Sequence, residues 1–188
     1  WLTTMTPQRG RMGARQNLFM ALHAARRDFP ARGRPSATNV CLCHKTRMRV
    51  VRAAQALRLR HDKPVEYLTL EGDPPLGQRI HLWPGVPLIA CVNATKDGIH
   101  NSMLLEVQGI GDTITLKDRE GGGVYHLSQE WVRKNCRSGY CFTISSAQGR
   151  TIPGGLGIWD TNHKRFSLRH LYTCLSRAQQ YTDLSIEI

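Results

Sequence analysis

The sequence predicts an α/β fold with a smaller antiparallel β segment inserted into it. A buried strand over residues 39–43 runs directly into a helical pattern, which begins a strand-loop-helix unit. Near the end of the chain a strand (156–159), a helix (168–179) and a strand (184–188) alternate, as a parallel sheet requires. Between these parts, short strand-like runs are separated by turns rich in Asn, Asp and Gly, which is typical of an antiparallel sheet.

Helices precede and follow the first strand. Apolar residues recur at helical spacing from residue 16 to 29, and Pro30 ends that pattern. A second helical pattern follows the strand, so both helices are expected to pack one apolar face on the sheet. The inward positions of the second helix are Met48, Val51, Ala54, Leu57 and Leu59.

The middle of the chain predicts a small antiparallel barrel. Residues 64–77 are rich in Pro and Gly and form a connection, with one short strand at 65–70. Turns that contain Gly or Asn then separate several apolar runs of strand length. The predicted strands are 78–83, 87–92, 103–110, 112–116 and 123–127.

The composition indicates a globular protein with a polyanionic partner. With 188 residues and 40% hydrophobic content the chain can bury one sizeable core, which excludes disorder throughout. Lys and Arg total 26 against 14 acidic residues, and this net charge of +12 favours nucleic acid as the partner. A charge that serves only solubility, or attraction to a membrane surface, is the alternative.

The chain shows no sign of membrane insertion or secretion. No apolar stretch reaches the roughly twenty residues that cross a bilayer, and no signal-peptide pattern opens the sequence. We therefore expect a soluble, intracellular protein with no membrane partner.

Six cysteines allow two interpretations. Thiols and an imidazole within residues 41–44 and 136–141 offer zinc ligands, but no paired Cys-x2-Cys spacing occurs. Most of the thiols lie in apolar segments, where reduced, buried cysteine is the expected state, so we predict no metal site. The cysteines are Cys41, Cys43, Cys91, Cys136, Cys141 and Cys174.

A strand followed by a Gly-containing turn is the most informative segment. Residues 140–144 predict a buried strand, and residues 145–149 (Ser-Ser-Ala-Gln-Gly) predict a turn into a short helix. Backbone N–H groups at such a turn are available to an anion. Gly149 either allows close approach of the backbone to a ligand or serves only as a turn residue.

A second informative segment is Leu-Tyr-Thr-Cys-Leu-Ser-Arg-Ala at residues 171–178. Together with residues 143–151 it resembles motifs V and VI of superfamily 1 helicases, in particular the PIF/RecD-like group. The resemblance implies a RecA-like motor domain that binds ATP in a cleft shared with another RecA-like domain. Arg177 is then the arginine finger, since a planar guanidinium suits a γ-phosphate. The alternative is an Arg paired with a carboxylate on a helix surface.

The resemblance also implies roles for the residues of the first motif. Gln148 and Gly149 are expected beside the nucleotide. The family pattern is Thr-x-His-Lys-Ser/Ala-Gln-Gly, and this chain has serines in place of the His and Lys, so one charge-assisted phosphate contact is absent. Hydroxyl groups still donate to phosphate. The residues expected to contact the backbone of single-stranded DNA are Thr143, Ser145, Ser146 and Thr151.

Residues 44–47 (His-Lys-Thr-Arg) follow the first strand and resemble motif IV of the same helicases. The carboxyl ends of parallel strands are the usual place for ligands in open α/β sheets. Lys45, Thr46 and Arg47 are therefore expected to contact DNA phosphates. The family often has Asn where Val51 stands here, and the His of this segment is equally explained as a turn residue.

The antiparallel segment lies where these helicases carry an SH3-like insertion in the second motor domain. Residues 85–93 and 98–101 resemble the family's Gly-Met-Pro-x-apolar-Asn and Asn-Gly segments. Asn93 and Asn101 are also explained by turn geometry alone. In the family this insertion contributes to the single-strand channel. The predicted domains are 1–77 for the first part of the RecA-like domain, 78–139 for the insertion and 140–188 for the second part.

Two features of a complete motor are absent from the sequence, a Gly-x-x-x-x-Gly-Lys-[Ser/Thr] phosphate loop and an acidic magnesium-binding strand. We therefore expect the chain to be part of a longer protein and not to hydrolyse ATP alone. ATP and Mg²⁺ are expected to bind mainly through the first RecA-like domain, which is the expected protein partner.

The resemblance thus predicts the C-terminal motor half of an ATP-dependent DNA helicase that moves 5′ to 3′ on single-stranded DNA, in the nucleus or at a replication site. Two alternatives remain open. One is a non-catalytic basic module that binds nucleic acid on a degenerate motor fold. The other is an RNA helicase of the same superfamily, since contacts to phosphate do not distinguish the sugars.

Overall fold

The computed structural model describes residues 13–65, 67–72 and 78–187. These residues form two compact units. One comprises the residues up to Ala54 and those from Cys141 onward, and we call it the parallel unit. The other is Gln55–Tyr140, the antiparallel unit. Residues 1–12 and 73–77 of the first predicted domain, Glu66 of a predicted strand and Ile188 of the last strand lie outside the described residues.

Helices and strands alternate at both ends of the described chain, and strands dominate its middle. The helices are α1 (Ala14–Asp28), α2 (His44–Asp62), α3 (Gln129–Asn135), α4 (Ile144–Ala147) and α5 (Leu168–Leu175). The strands are β1 (Thr38–Cys41), β2 (Leu68–Leu70), β3 (Ile80–Leu82), β4 (Pro87–Ala90), β5 (Leu104–Ile110), β6 (Thr113–Asp118), β7 (Val124–Ser128), β8 (Cys136–Ser138), β9 (Cys141–Thr143), β10 (Leu156–Ile158) and β11 (Leu184–Ile186).

The parallel unit contains a four-stranded sheet with the order β11-β10-β1-β9, in which every pairing is parallel. In the central strand β1, Val40 pairs with Ile158 on one side and with Phe142 on the other. All three side chains are buried, as expected for parallel strands that are covered on both faces. The predicted α/β fold with a parallel sheet and helices is therefore confirmed.

The chain leaves this sheet in opposite directions on the two sides of β1. β1 leads, by way of α2 and the antiparallel unit, to its neighbour β9, whereas β10 leads through α5 to β11, away from β1. Such a reversal opens a crevice at the carboxyl ends of the two central strands, β1 and β10. A ligand site is therefore expected among the residues that follow these two strands.

The buried face of α2 is shorter than predicted. Its buried residues are Arg47, Val50, Val51, Ala54 and Gln55, so the predicted inward positions Val51 and Ala54 are buried, whereas Leu57 is 38% exposed. Leu57 follows Ala54 by three residues and Val50 by seven, so it lies on the same helix face, and burial of that face ends before it. None of the helices in the described residues is both long and apolar enough to cross a membrane.

The last helix is shorter than predicted. The pattern predicted a helix over residues 168–179, but α5 ends at Leu175. Beyond it the chain turns, and Ala178 forms a parallel β-bridge with Ile152. Because that bridge requires an extended backbone, the helix cannot continue, and Arg177 lies in the turn after α5 and not on the helix.

The antiparallel unit contains a five-stranded sheet with the order β7-β6-β5-β4-β8 and a separate ribbon of β2 and β3. β2 pairs with β3, and both lie in this unit, which runs from Gln55 to Tyr140. The domain bounds 1–77, 78–139 and 140–188 stay predictions. The core consists of fully buried aliphatic side chains, Leu82, Leu88, Ile99, Leu105, Ile114 and Leu116.

The structure adds α3 and β8, for which the sequence shows no periodic signal. α3 begins after Ser128, whose Oγ accepts a hydrogen bond from the N–H of Trp131 at 3.1 Å. A helix of 7 residues is too short for its apolar spacing to stand out, so this cap was the available signal. β8 then pairs with β4 at one edge of the sheet.

Candidate functional site

The loop after β9 begins with a short helix that its own capping residue holds. The Oγ1 atom of Thr143 accepts a hydrogen bond from the N–H of Ser146 at 3.3 Å and lies 2.8 Å from the Ser146 hydroxyl. Both Ser145 and Ser146 are exposed. The loop therefore presents hydroxyl groups from a fixed backbone, and Thr143 is engaged in fixing it.

Gly149 adopts a conformation that other residues rarely adopt. Its φ angle is +79°, in the left-handed region, and an added Cβ would meet nothing within 4 Å. Glycine is therefore required by the backbone conformation and not by a close neighbour. Gln148 before it and Thr151 after it are exposed, so this turn is accessible to a ligand.

The side chain of Arg150 contacts both this loop and β9. Its Nε donates to the backbone carbonyl of Ser146 at 3.1 Å, and its guanidinium lies 5.4 Å from the ring centroid of Phe142. A guanidinium at that distance from an aromatic face is attracted to it. The sequence analysis did not single out Arg150, whose position directly after the Gln-Gly pair was the only signal.

The side chain of Arg177 reaches this loop. Its Nη1 donates to the backbone carbonyl of Arg150 at 3.1 Å, and its Nη2 donates to the Ser176 hydroxyl at 3.2 Å. Its Nε is buried and has no hydrogen-bond partner among the described residues. No carboxylate of the described residues forms an ion pair with Arg177. The structure therefore does not contain the surface ion pair that was the alternative interpretation of Arg177.

Backbone hydrogen bonds hold the two segments together as well. The N–H of Ile152 donates to the carbonyl of Arg177 at 2.7 Å, and the N–H of Gln179 donates to the carbonyl of Ile152 at 3.0 Å. The segment with the Gln-Gly pair and the segment with the Ser-Arg pair are thus joined by main chain and side chain. The structure brings together the two motifs on which the resemblance depended.

Asp160 organises the turn after β1. Its Oδ2 accepts the N–H groups of Leu42 and Cys43 at 3.0 and 2.8 Å, and its Oδ1 accepts the hydroxyl of Thr46 at 2.5 Å. It follows β10, so it bridges the carboxyl ends of the two central strands. Sequence reasoning missed this residue, although an acid directly after a buried strand is a recognisable signal.

The three candidates in this turn have different environments. Lys45 is exposed. Thr46 is half-buried and uses its hydroxyl on Asp160. Arg47 is only 7% exposed, and its Nε donates to Nδ1 of His44 at 3.3 Å. The turn therefore presents one accessible cation, and its two neighbours are engaged within the protein.

Burial keeps thiols of the parallel unit protonated. It raises the pKa of Cys174 to about 12 and that of Cys141 well above its ordinary value. The Sγ atoms of Cys41 and Cys141 lie 3.7 Å apart, and all six cysteines are free. A raised pKa depletes the thiolate, which is the nucleophilic and metal-binding form. Among the described residues, no group of three His, Cys, Asp or Glu side chains is arranged to hold a metal ion.

Asn93 and Asn101 in the antiparallel unit have a structural role. The side-chain oxygen of Asn93 accepts the backbone N–H of Asn101 at 2.8 Å. This bond closes the connection between β4 and β5. The observed contact is the turn geometry that was one of the two interpretations of this pair.

Solved structures of Pif1 helicases have the same fold. Pif1 from Bacteroides bound to single-stranded DNA matches with a TM-score of 0.53 and 19% identity, over 93% of this chain and 45% of that one. The Bacteroides protein in complex with ADP-AlF3 and single-stranded DNA matches with a TM-score of 0.52 and 17% identity, over 94% and 46%. Pif1 from Candida albicans matches with a TM-score of 0.53 and 12% identity, over 89% and 49%. The chain has the fold of a Pif1 helicase segment.

The likeness to Pif1 confirms the helicase resemblance at the level of the fold. The chain spans less than half the length of each of these Pif1 structures. No protein-family model matches the sequence, and no curated protein matches it.

Proposed function

We propose that the chain is the second RecA-like motor domain of an ATP-dependent DNA helicase that moves 5′ to 3′ on single-stranded DNA. One observation carries the proposal. The guanidinium of Arg177 is bonded to the carbonyl of Arg150, the residue directly after the Gln148-Gly149 turn. An arginine finger must lie beside the nucleotide-sensing loop of its own domain, and this contact supports that role.

Arg177 is suited to stabilise phosphate charge. Its guanidinium is not neutralised by any carboxylate of the described residues, and its Nε is a buried donor without a partner. Buried donors in native structures normally have partners, so an unused one fits a site that acquires a ligand. ATP bound in the shared cleft supplies the γ-phosphoryl group. Arg177 then donates charge-assisted hydrogen bonds where negative charge develops, with Gln148 and Gly149 beside the nucleotide.

Exposed polar groups of the same unit are proposed to hold the DNA backbone. Lys45, Ser145, Ser146 and Thr151 are all exposed. Ammonium and hydroxyl groups donate to phosphate oxygens without reading the sequence. Such contacts suit a motor that must advance along any strand.

Three further candidates are proposed to act by positioning. Thr46 and Arg47 are hydrogen-bonded to Asp160 and His44, and so hold the turn that carries the exposed cation. Thr143 caps α4 and so fixes the backbone of the serine pair. Their loss is expected to loosen these loops, which weakens DNA binding indirectly.

The rest of the motor is assigned to a partner domain. We propose that Mg²⁺ and most of the nucleotide contacts belong to a first RecA-like domain, and that this chain alone does not turn over ATP. Residues 78–139 are proposed to be an SH3-like insertion between the two parts of the motor domain, 1–77 and 140–188, that flanks the strand. The antiparallel sheet of the structure supports that assignment.

DNA binding is proposed to be coupled to ATP hydrolysis because the DNA contacts and the nucleotide contacts lie on one loop. Ser145 and Ser146 precede Gln148 within a single turn, and Arg177 is bonded to the same loop. Closure of the cleft brings Arg177 to the γ-phosphate, and loss of that phosphate after hydrolysis releases it. The grip of the loop on DNA therefore changes with the nucleotide, which is the requirement for stepping.

The decisive experiment replaces Arg177 in the full-length protein. Arg177→Ala is expected to lower the rate of ATP turnover by about a thousandfold, the effect typical of an arginine finger, and to leave DNA affinity nearly unchanged. Arg169→Ala is the matched control, because Arg169 is an exposed arginine on α5 and the charge change is the same. Equal turnover in the two variants would defeat the proposal.

A non-catalytic nucleic-acid-binding module is the second candidate. The observation that favours it is the serine pair, Ser145 and Ser146, where the resembling helicases have His and Lys, because serine carries no charge to grip phosphate. A passive binder of net charge +12 depends on salt and is indifferent to nucleotide. DNA affinity of the full-length protein measured with and without a non-hydrolysable ATP analogue separates the two, since only the motor is expected to respond.

A further inference from the structure

The antiparallel unit contains a cavity that the motor mechanism does not use. Its volume is about 410 Å³, within the range of about 300–1,000 Å³ that small-molecule sites occupy. Most of its lining is apolar, and one carboxylate lies in it. The lining residues are Asp62, Pro64, Val65, Trp83, Pro84 and Ile110.

Two of the lining residues, Asp62 and Trp83, are hydrogen-bonded to each other. Trp83 is 2% exposed, and its Nε1 donates to Oδ2 of Asp62 at 3.0 Å. The hydrogen bond from His61 holds the pKa of Asp62 below its ordinary value, and the bond from Trp83 and the nearby charge of Arg58 act in the same direction. Asp62 is therefore an ionised acceptor fixed beside an apolar surface.

The chain segment that lines the cavity also contains an exposed apolar side chain and a cation. Val65, one of the lining residues, is fully exposed. Lys63, between two lining residues, has a φ of +41° at the end of α2, where its N–H bonds to the carbonyl of Leu59. Glycine adopts this conformation without strain. A lysine at this position keeps a cation in the chain segment that lines the cavity at a conformational cost.

We propose that this cavity receives one base of a single-stranded nucleic acid, with an exocyclic amino group of the base donating to Asp62. The inference rests on the proposed function for its polymer and adds where, and by which chemistry, a base is held. A nucleotide is favoured over an apolar peptide side chain because two cations suit the phosphates that flank a base: Arg58, whose charge acts on Asp62, and Lys63, which lies between two lining residues in the chain. Cytosine, adenine and guanine carry such an amino group, and thymine does not.

The first test uses two exposed valines of the same unit. Val65 lines the cavity, and Val124, 54% exposed on β7, does not. Val65→Asp and Val124→Asp change the net charge equally, so a general electrostatic loss affects both alike. With fluorescein-labelled oligo-dC, Val65→Asp is expected to weaken binding about tenfold, the effect of losing one stacked base, and Val124→Asp less than twofold. Equal losses would overturn the inference.

The second test addresses the carboxylate. The wild-type chain is expected to bind oligo-dC more tightly than oligo-dT of equal length, and Asp62→Asn is expected to remove that preference, because an amide also donates to thymine. An abasic oligonucleotide is expected to bind as weakly to the wild-type chain as oligo-dC binds to Val65→Asp. Tight binding of the abasic strand, or a preference for dC that Asp62→Asn leaves unchanged, would exclude a base in the cavity.

Failure of this inference differs from failure of the motor proposal. If the wild-type chain binds oligo-dC in a salt-sensitive way but Val65→Asp matches its control, the motor proposal stands and the cavity has another use. If the wild-type chain binds no oligonucleotide even at low salt, the proposed nucleic-acid function fails, and the base pocket fails with it. Because Val65 is fully exposed, its replacement is expected to leave the melting temperature unchanged, so lost binding is not lost folding.

Discussion

The hydroxyl of Thr46 donates to the carboxylate of Asp160 at 2.5 Å and so joins the first turn of α2 to the residue that follows β10. The same carboxylate accepts the N–H groups of Leu42 and Cys43. All three donors belong to the turn that presents Lys45. A single side chain therefore fixes the backbone from which the accessible cation of this site projects.

Asp160→Ala is expected to lower the free energy of unfolding by about 2–3 kcal/mol. Hydrogen bonds to a charged group contribute about 1.5–3 kcal/mol each, but bonds that share one acceptor are not additive. Alanine also tolerates the φ of +64° at this position less well than aspartate does. Urea unfolding measures the change. Asp112→Ala, at an exposed acid between β5 and β6, is the control, and a loss equal to that control would contradict the bridging role.

Lys45→Ala is expected to weaken binding of single-stranded DNA and to reduce its salt dependence. Removal of one phosphate contact lowers the slope of log affinity against log salt by about 0.7 for a single strand. Titrations of the chain with a labelled oligonucleotide at several salt concentrations measure this slope. Lys96→Ala, at an exposed lysine of the antiparallel unit, removes the same charge and is expected to change the slope much less. An unchanged slope for Lys45→Ala would exclude a phosphate contact there.

The buried thiol of Cys174 predicts a loss of stability at alkaline pH. Burial raises its pKa from 9.0 to about 12, so above pH 9 the unfolded thiol ionises while the folded one stays protonated. The contribution of Cys174 is therefore complete below pH 9 and is lost as the pH rises toward 12, by about 1.4 kcal/mol per pH unit. Urea unfolding between pH 8 and 10.5 is expected to show a shallower decline for Cys174→Ala than for the wild type. Parallel declines would contradict the prediction.

The sequence was sufficient for the fold class because the strands of the parallel sheet are short runs with buried apolar side chains that alternate with helices. Val40 and Ile158 are fully buried, as expected for parallel strands that are covered on both faces. The association of the two helicase-like motifs was also predictable, since their order and spacing carried the resemblance. The bond between Arg177 and the carbonyl of Arg150 agrees with that expectation.

Three features were not predictable because they depend on tertiary contacts. α5 ends at Leu175 because Ala178 forms a β-bridge with Ile152, and the helical periodicity of the sequence does not indicate this tertiary contact. Arg47 is buried although its charge suggested an accessible cation. Asp160 acquires its role only when β10 lies beside β1, which the linear spacing does not reveal.

The central position of β1 has a consequence for synthesis. Among the strands of the described residues it pairs with β9 and β10 alone, and the first of these to be synthesised is Cys141–Thr143. At about 5–20 residues per second, the roughly one hundred residues between them take the ribosome about 5–20 s. All pairings of the antiparallel sheet lie within that interval. We therefore expect the middle of the chain to fold first during translation. During that time β1 is unpaired, with Val40 and Cys41 uncovered, and we expect it to be open to aggregation or chaperone capture.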